Sequence, residues 1–187
     1  MNSLKTNAKN RVKVIKTVLF ICTGNYYRSR LAEILFNHYA IQSGIQWRAE
    51  SRGLSVQKDL KSISHHALKY LNTLRIIPAI SELRDPLALS VDDLDSYDLI
   101  VLLNGGEHLV IMETRFSWMV KALQKEGKIR LWHVHDLEVK VHPFLKWIGA
   151  ARDRVGQPEE SAVEHIDFGA RALVQELEML PKQTEEA

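Results

Sequence analysis

Lys16-Thr17-Val18-Leu19-Phe20-Ile21-Cys22-Thr23-Gly24-Asn25-Tyr26-Tyr27-Arg28-Ser29 is the stretch on which the reading of this chain turns. An apolar run, Val18–Ile21, ends at the only cysteine and reads as a buried strand. Six residues beyond that cysteine stands an arginine, then a serine, then a pattern of helical period. A loop between a strand end and a helix start turns backbone N–H groups toward one point. The helix adds the positive end of its dipole there. Strand, cysteine, Gly-Asn, arginine, serine and helix in this order therefore predict an anion site with a sulfur nucleophile at its mouth.

Outward from this stretch, strands and helices alternate. Lys16–Cys22 is the first strand, and Arg28 to about Ser43 a helix with Leu31, Ile34, Leu35 and His38 on its inner face and Gly44 as its stop. Gln46–Ser51 reads as a short second strand broken by Arg52-Gly53. Ser62 to Leu74 reads as a helix capped by Ser62 or Ser64, and Ser90-Val91-Asp92-Asp93 starts a brief one. Tyr97–Leu103 is a buried strand ending at Asn104-Gly105-Gly106, with a helix from about Glu107 to Gln124. Lys128–Val134 is the fourth strand, and a helix from about Glu159 to Leu180 follows. Alternation of this kind predicts an α/β fold, a four-stranded parallel sheet with helices on both faces. Ligands of such sheets bind at the carboxyl ends of the strands. Cys22, Asn104 and Asp136 all fall at or just past predicted strand ends.

Length and charge narrow the class. With 187 residues the chain fits one domain and buries a real core. Residues 1–13 read as a flexible basic arm and 14–187 as a single domain. Lys5, Lys9, Arg11, Lys13, Lys16, Arg28 and Arg30 precede any acidic residue, yet the net charge of +2 is too small to argue for nucleic acid. The Val18–Ile21 run is too short for a secretory signal, and no stretch is long enough to span a bilayer. A reducing cytoplasm is the expected compartment, with no membrane partner. Oligomeric state stays open.

The residue types suit thiolate attack on a phosphate ester. Helix N–H groups and a nearby arginine favour the thiolate of a cysteine. The Arg28 fork holds two phosphate oxygens at once and follows the charge as it shifts in the transition state. Gly24 lets the backbone approach an anion closely, and Asn25 tolerates the left-handed conformation that a tight loop needs. Ser29 is placed to donate a hydrogen bond to the Cys22 sulfur. Thr23, Tyr26 and Tyr27 complete the phosphate-binding loop, and one of the tyrosines offers a wall for an aromatic substrate.

The segment Val18–Ser29, near the start of the chain, resembles the low-molecular-weight protein tyrosine phosphatases, whose loop reads Cys-x-Gly-Asn-x-x-Arg-Ser. Cys22, Gly24, Asn25, Arg28 and Ser29 match it. Ala49-Glu50-Ser51-Arg52-Gly53 is similar to the segment after the family's second strand. Leu83-Arg84 through Leu89-Ser90, then Tyr97–Val101, is similar to its approach to the third. The resemblance implies a flavodoxin-like three-layer fold and a cytoplasmic hydrolase of phosphotyrosine. Its substrate is a phosphorylated protein or a small phosphoester, and it needs no cofactor or metal. Cys22 is then the nucleophile and Arg28 the phosphate clamp, while Asn25 and Ser29 support the loop.

The family's general acid is an aspartate after the fourth strand, within Asp-Pro. Here Asp136 holds that position, followed by Leu137, while Asp85-Pro86 lies before the third strand. His133 and His135 flank Val134 and are placed to tune Asp136 or bind substrate. Their spacing is too sparse for a metal site. Residues 137–158, with Phe144, Trp147 and Ile148, read as a small helix packed on the core. Two rival readings share the loop: an arsenate reductase resolved by an external thiol, and a phosphate- or phosphoprotein-binding module without catalysis.

Tyr27 stands where many of these phosphatases carry a second cysteine, so an oxidised Cys22 has no partner thiol within these residues. Peroxide treatment is expected to add one, then two or three oxygens to Cys22 in intact-mass spectra. An intramolecular disulfide is not expected to form.

Overall fold

The computed structural model describes residues 15–134 and 159–180. Strand β1 (Lys16–Cys22) is buried from Val18 to Cys22, and its apolar β-branched run suits a strand covered on both faces. It pairs in parallel with β2 (Trp47–Gly53), from Lys16 against Trp47 to Cys22 against Gly53. On its other edge it pairs in parallel with β3 (Leu99–Leu102), Val18 against Leu99 and Ile21 against Leu102. The short β4 (Ile129–Leu131) extends the sheet beyond β3, giving the order β2-β1-β3-β4. The chain runs outward from β1 to β2 and then returns across it to β3. That reversal opens a crevice at the carboxyl ends of β1 and β3.

Alternate residues of β1 supply two cores. Val18, Phe20 and Cys22 face α1 (Arg28–Ser43), α2 (His65–Thr73) and α5 (Glu159–Met179), meeting Leu31, Leu35, Ala67, Leu71, Ile166 and Leu173. Leu19 and Ile21 face α3 (Val91–Ser96) and α4 (Gly105–Lys125), meeting Leu94, Met112, Val120 and Leu123. Helices thus cover both faces of a parallel sheet, as the alternation predicts. Side chains cap the later helices: Ser64 Oγ accepts from Ala67 N–H at 3.2 Å, Ser90 and Asp93 cap each other, and Asn104 Oδ1 accepts from Glu107 N–H. Gly44, at φ 67°, ends α1 in the left-handed conformation. Asp167 on α5 takes hydrogen bonds from Tyr39 on α1 at 2.5 Å and Tyr70 on α2 at 3.0 Å, clasping the three helices of one face.

The structure differs from expectation in three places. β2 does not break at Arg52-Gly53 but runs through it, because Gly53 completes the ladder opposite Cys22 and exchanges hydrogen bonds with Leu87 and Leu89. A Cβ on Gly53 would lie 2.7 Å from Val56 Cγ2 and 2.9 Å from the Asn25 nitrogen. The glycine is there for close approach. β4 ends at Leu131 instead of Val134. Trp132 and Val134 still donate to Leu102 and Leu103, but His133 pairs antiparallel with Asn104. In α1, every residue from Arg28 to Phe36 is buried, including Arg30 and Glu33, whereas His38 is half-exposed. The helix is enclosed because β1, β2, α2 and α5 all pack on it. The basic arm and the 137–158 segment lie outside the described residues.

Gly53→Ala is expected to lower the free energy of unfolding by about 1–3 kcal/mol, since the new Cβ would press on the Asn25 backbone nitrogen as well as on Val56. Urea unfolding of the two proteins measures it.

Candidate active site

The loop between β1 and α1 is held open by where its carbonyls go. Cys22, Thr23 and Tyr26 give their C=O groups to the N–H groups of Leu54, Ser55 and Ser64, at 2.9, 2.7 and 2.9 Å. With those carbonyls turned outward, the loop keeps its N–H groups for the other side. Asn25 takes φ 49° and sends its N–H to Cys22 Sγ at 3.3 Å. A Cβ on Gly24 would meet no protein atom within 4 Å. Glycine there frees space over the loop and answers no packing demand. The first turn of α1 has neither a side-chain cap nor an acidic residue, a helix start whose positive end suits an anion.

Cys22 is 2% exposed, with Ser29 Oγ 3.0 Å from its sulfur. Behind it, the Asn25 amide is fully buried and fully used. Its Nδ2 donates to Ser29 Oγ at 3.0 Å and to Ser51 Oγ at 2.7 Å. Its Oδ1 accepts from Leu87 N–H at 2.8 Å and Arg84 Nη1 at 3.2 Å. On the other flank, Arg28 Nη1 donates to the Val134 carbonyl and Nη2 to Thr23 Oγ1, both at 3.2 Å. Thr23 in turn donates to Glu107 Oε1 at 3.1 Å, and His108 Nε2 lies 3.3 Å from the same hydroxyl.

His108 is fully buried. Asn104 N–H donates to its Nδ1 at 3.1 Å, which assigns the ring proton to Nε2. Burial, aided by the Arg28 charge, pushes its pKa from 6.5 down to about 3. The ring is therefore neutral near pH 7 and adds no cation beside Arg28.

The loop residues singled out in the sequence, Cys22 to Ser29, are brought together at the carboxyl end of β1. Asp136 and His135 lie outside the described residues. Val134 is buried, and its carbonyl anchors Arg28. His133 is exposed and lines a groove with Phe168 and Gly169 that contains none of residues 22–29. Asp85 is exposed and tied to Ser62 N–H and Lys61. The Ser62 N–H bond, chiefly, holds its carboxyl below the usual range, the opposite of what an acid catalyst needs. Arg84, Ser51, Glu33, His108 and Glu107 also belong to the site or its support. Their sequence signal was slight: Ser51 and Arg84 sit in segments similar to the phosphatases, and Glu107-His108 follows a strand end.

A parallel sheet carrying a cysteine–arginine anion loop on the strand beside its topological switch defines a phosphate-handling α/β protein. The family model for low molecular weight phosphotyrosine protein phosphatases matches residues 17–154, and the chain belongs to that family of hydrolases. No curated protein matches the sequence. Among solved structures, a low molecular weight phosphotyrosine phosphatase from Vibrio cholerae O395 is 20% identical, with TM-score 0.62, over 88% of this chain and 97% of that one. A mutant of YwlE from Bacillus subtilis is 19% identical, with TM-score 0.61, over 87% and 98%. The YwlE arginine phosphatase from Geobacillus stearothermophilus is 19% identical, with TM-score 0.59, over 87% and 92%. These likenesses confirm the fold. No helix among the described residues is long and apolar enough to cross a membrane.

The depressed value of His108 carries a sign. Between about 6.5 and about 3 the unfolded chain binds a proton that the folded protein refuses, so this group's stability is full above pH 6.5 and is lost as pH falls. Urea unfolding at pH 7 and pH 4 is expected to show the parent losing a few kcal/mol more than His108→Gln over that interval.

Proposed function

We propose that this chain hydrolyses phosphomonoesters, phosphotyrosine in proteins foremost, through a phosphocysteine on Cys22. The observation that carries the reading is the sulfur itself. It lies against Ser29 Oγ and the Asn25 N–H, at the head of a helix without a side-chain cap, with Arg28 rising from the first helical residue. The thiolate attacks phosphorus while the ester oxygen leaves. Arg28 and the loop N–H groups of Thr23, Gly24, Tyr26 and Tyr27 take up the charge of the three remaining oxygens. Positive charge supplied in this way makes the reaction independent of a metal ion. Asp136 gives its proton to the leaving oxygen and later takes one from the water that attacks the phosphocysteine, returning Cys22 as thiolate and releasing phosphate.

The position of Val134, two residues before Asp136 in sequence, supports this assignment, since its carbonyl accepts from Arg28. Tyr26, half-buried on the loop, offers an aromatic wall to a phenyl phosphate. A reducing compartment such as the cytoplasm suits an enzyme whose single thiol is its nucleophile. We place the whole activity in one domain from residue 14 onward, with residues 1–13 as an arm outside it.

The test is hydrolysis of para-nitrophenyl phosphate across pH with EDTA present, beside phosphotyrosine and phosphoarginine peptides. Cys22→Ser is expected to abolish turnover. Asp136→Asn should lower kcat by about 10²–10⁴-fold and remove from the kcat/KM profile the fall toward high pH that loss of the Asp136 proton causes. Vanadate binding without turnover in the parent would turn the reading to a phosphate-binding module. Reduction of arsenate with glutaredoxin would turn it to a reductase, and preference for phosphoarginine would replace the substrate class.

A further inference from the structure

Beneath the loop, on the side away from any substrate, lies a buried ionic cluster with no part in the chemistry above. Glu33 Oε2 receives Arg30 Nη1 at 3.0 Å, Arg84 Nη2 at 3.1 Å and Ser51 Oγ at 2.5 Å. Arg30 is fully buried and its Nη2 also donates to the Glu82 carbonyl. A cation and a carboxylate removed from water, with a second cation half-buried beside them, are costly unless their geometry serves something.

The direction of each hydrogen bond can be followed from this cluster to the sulfur. Leu87 N–H and Arg84 Nη1 are groups that only donate, so the Asn25 end they meet is Oδ1. Its Nδ2 then faces Ser29 and Ser51 and can only donate to both. With its oxygen accepting from Asn25, Ser51 has one proton left, and Glu33 is its acceptor. Likewise Ser29 accepts from Asn25, and its one proton is left for Cys22 Sγ. Every rotor between Glu33 and the sulfur is thereby set. A neutral acid at position 33 would return a donor toward Ser51 and release it. Burial raises the Glu33 carboxyl above the usual range, while Arg30 foremost, then Arg84 and Ser51, oppose that rise.

We propose that Glu33, clamped by Arg30 and Arg84, is a positioning residue for the nucleophile, acting through Ser51 and Asn25 to aim the Ser29 hydroxyl proton at Cys22 Sγ. The inference rests on Cys22 being the nucleophile, as proposed above, but its test needs no turnover. Cys22 is the only thiol in the chain, so the rate of alkylation by iodoacetamide against pH reads that sulfur alone. The charged groups on the loop's other flank, Arg28 and Glu107, and the neutral His108 are unchanged in every variant.

Glu33→Gln keeps the shape and removes the charge. If the cluster acts by positioning, the midpoint of the alkylation profile moves up by about one pH unit, the scale of one hydrogen bond to a charged group. If Glu33 acts only as a charge at a distance, its removal leaves more positive potential near the sulfur, and the midpoint moves down. Ser51→Ala is expected to give a similar rise, and Ser51→Thr to restore the parent profile. In the Ser51→Ala background, Glu33→Gln should add less than it does alone, because only its hold on Arg84, and through Arg84 on Asn25 Oδ1, is left to lose. An unchanged or lowered midpoint in Glu33→Gln, or a full extra shift on top of Ser51→Ala, overturns the proposal. Should Glu33→Gln fail to fold, the Ser51→Ala and Ser51→Thr pair decides: an unshifted Ser51→Ala profile overturns it equally. A parent that turns over no phosphoester would remove the phosphatase reading while leaving these profiles intact.

Discussion

A primary amide has two protons and two lone pairs to place, and inside a protein none can be left unmet without a cost comparable to a lost hydrogen bond. Asn25 meets all four with protein partners while its backbone sits in the left-handed region at φ 49°. Few residues accept that backbone, and asparagine is among them. The partners come from α1, from β2 and from the chain that follows the 3₁₀ turn Ile80–Leu83. The strand pairing that brings Ser51 beside Phe20, and the glycine at 53 that lets the loop settle on β2, serve the same requirement. Had β2 shifted by one residue against β1, Ser51 would face the opposite side of the sheet.

The two flanks of the loop differ in kind. On the Asn25 side, charge is gathered in Glu33 and the two arginines and reaches the sulfur only through neutral hydroxyl and amide groups. On the Arg28 side, the guanidinium itself is at the site, seated on a backbone carbonyl and a threonine. Glu107 offsets part of that charge through Thr23, and His108 stays neutral beside it. Among the described residues, Arg28 thus stands at the loop itself, while Arg30 and Arg84 lie where they stiffen its floor.

What could be seen in the residues was the periodic part. The run Val18–Ile21 and the Cys-x5-Arg spacing carried strand, loop and helix, and α1 was legible from Arg28 to Ser43 because Gly44 marks its end. Alternation then implied the parallel sheet. Arg52-Gly53 was misread because glycine in a strand signals both a break and a close approach, and only the neighbour across the ladder tells them apart. The inward face assigned to His38 failed for a related reason: α1 is enclosed nearly all round, so no stripe separates inside from outside. Arg30, Glu33 and Arg84 were illegible as a group. Charged residues on a helix and in a loop read as solvated until the fold places them around one carboxylate.

The partners of the loop lie at widening intervals along the chain. From Asn25 they are four residues away at Ser29, then 26 at Ser51, 59 at Arg84 and 62 at Leu87. The seat of Arg28, the Val134 carbonyl, is 106 residues further on. A chain emerging from the ribosome therefore holds its cysteine long before it holds a place for its arginine. The floor of the loop draws only on residues up to Leu87, whereas the seat of the arginine waits for Val134.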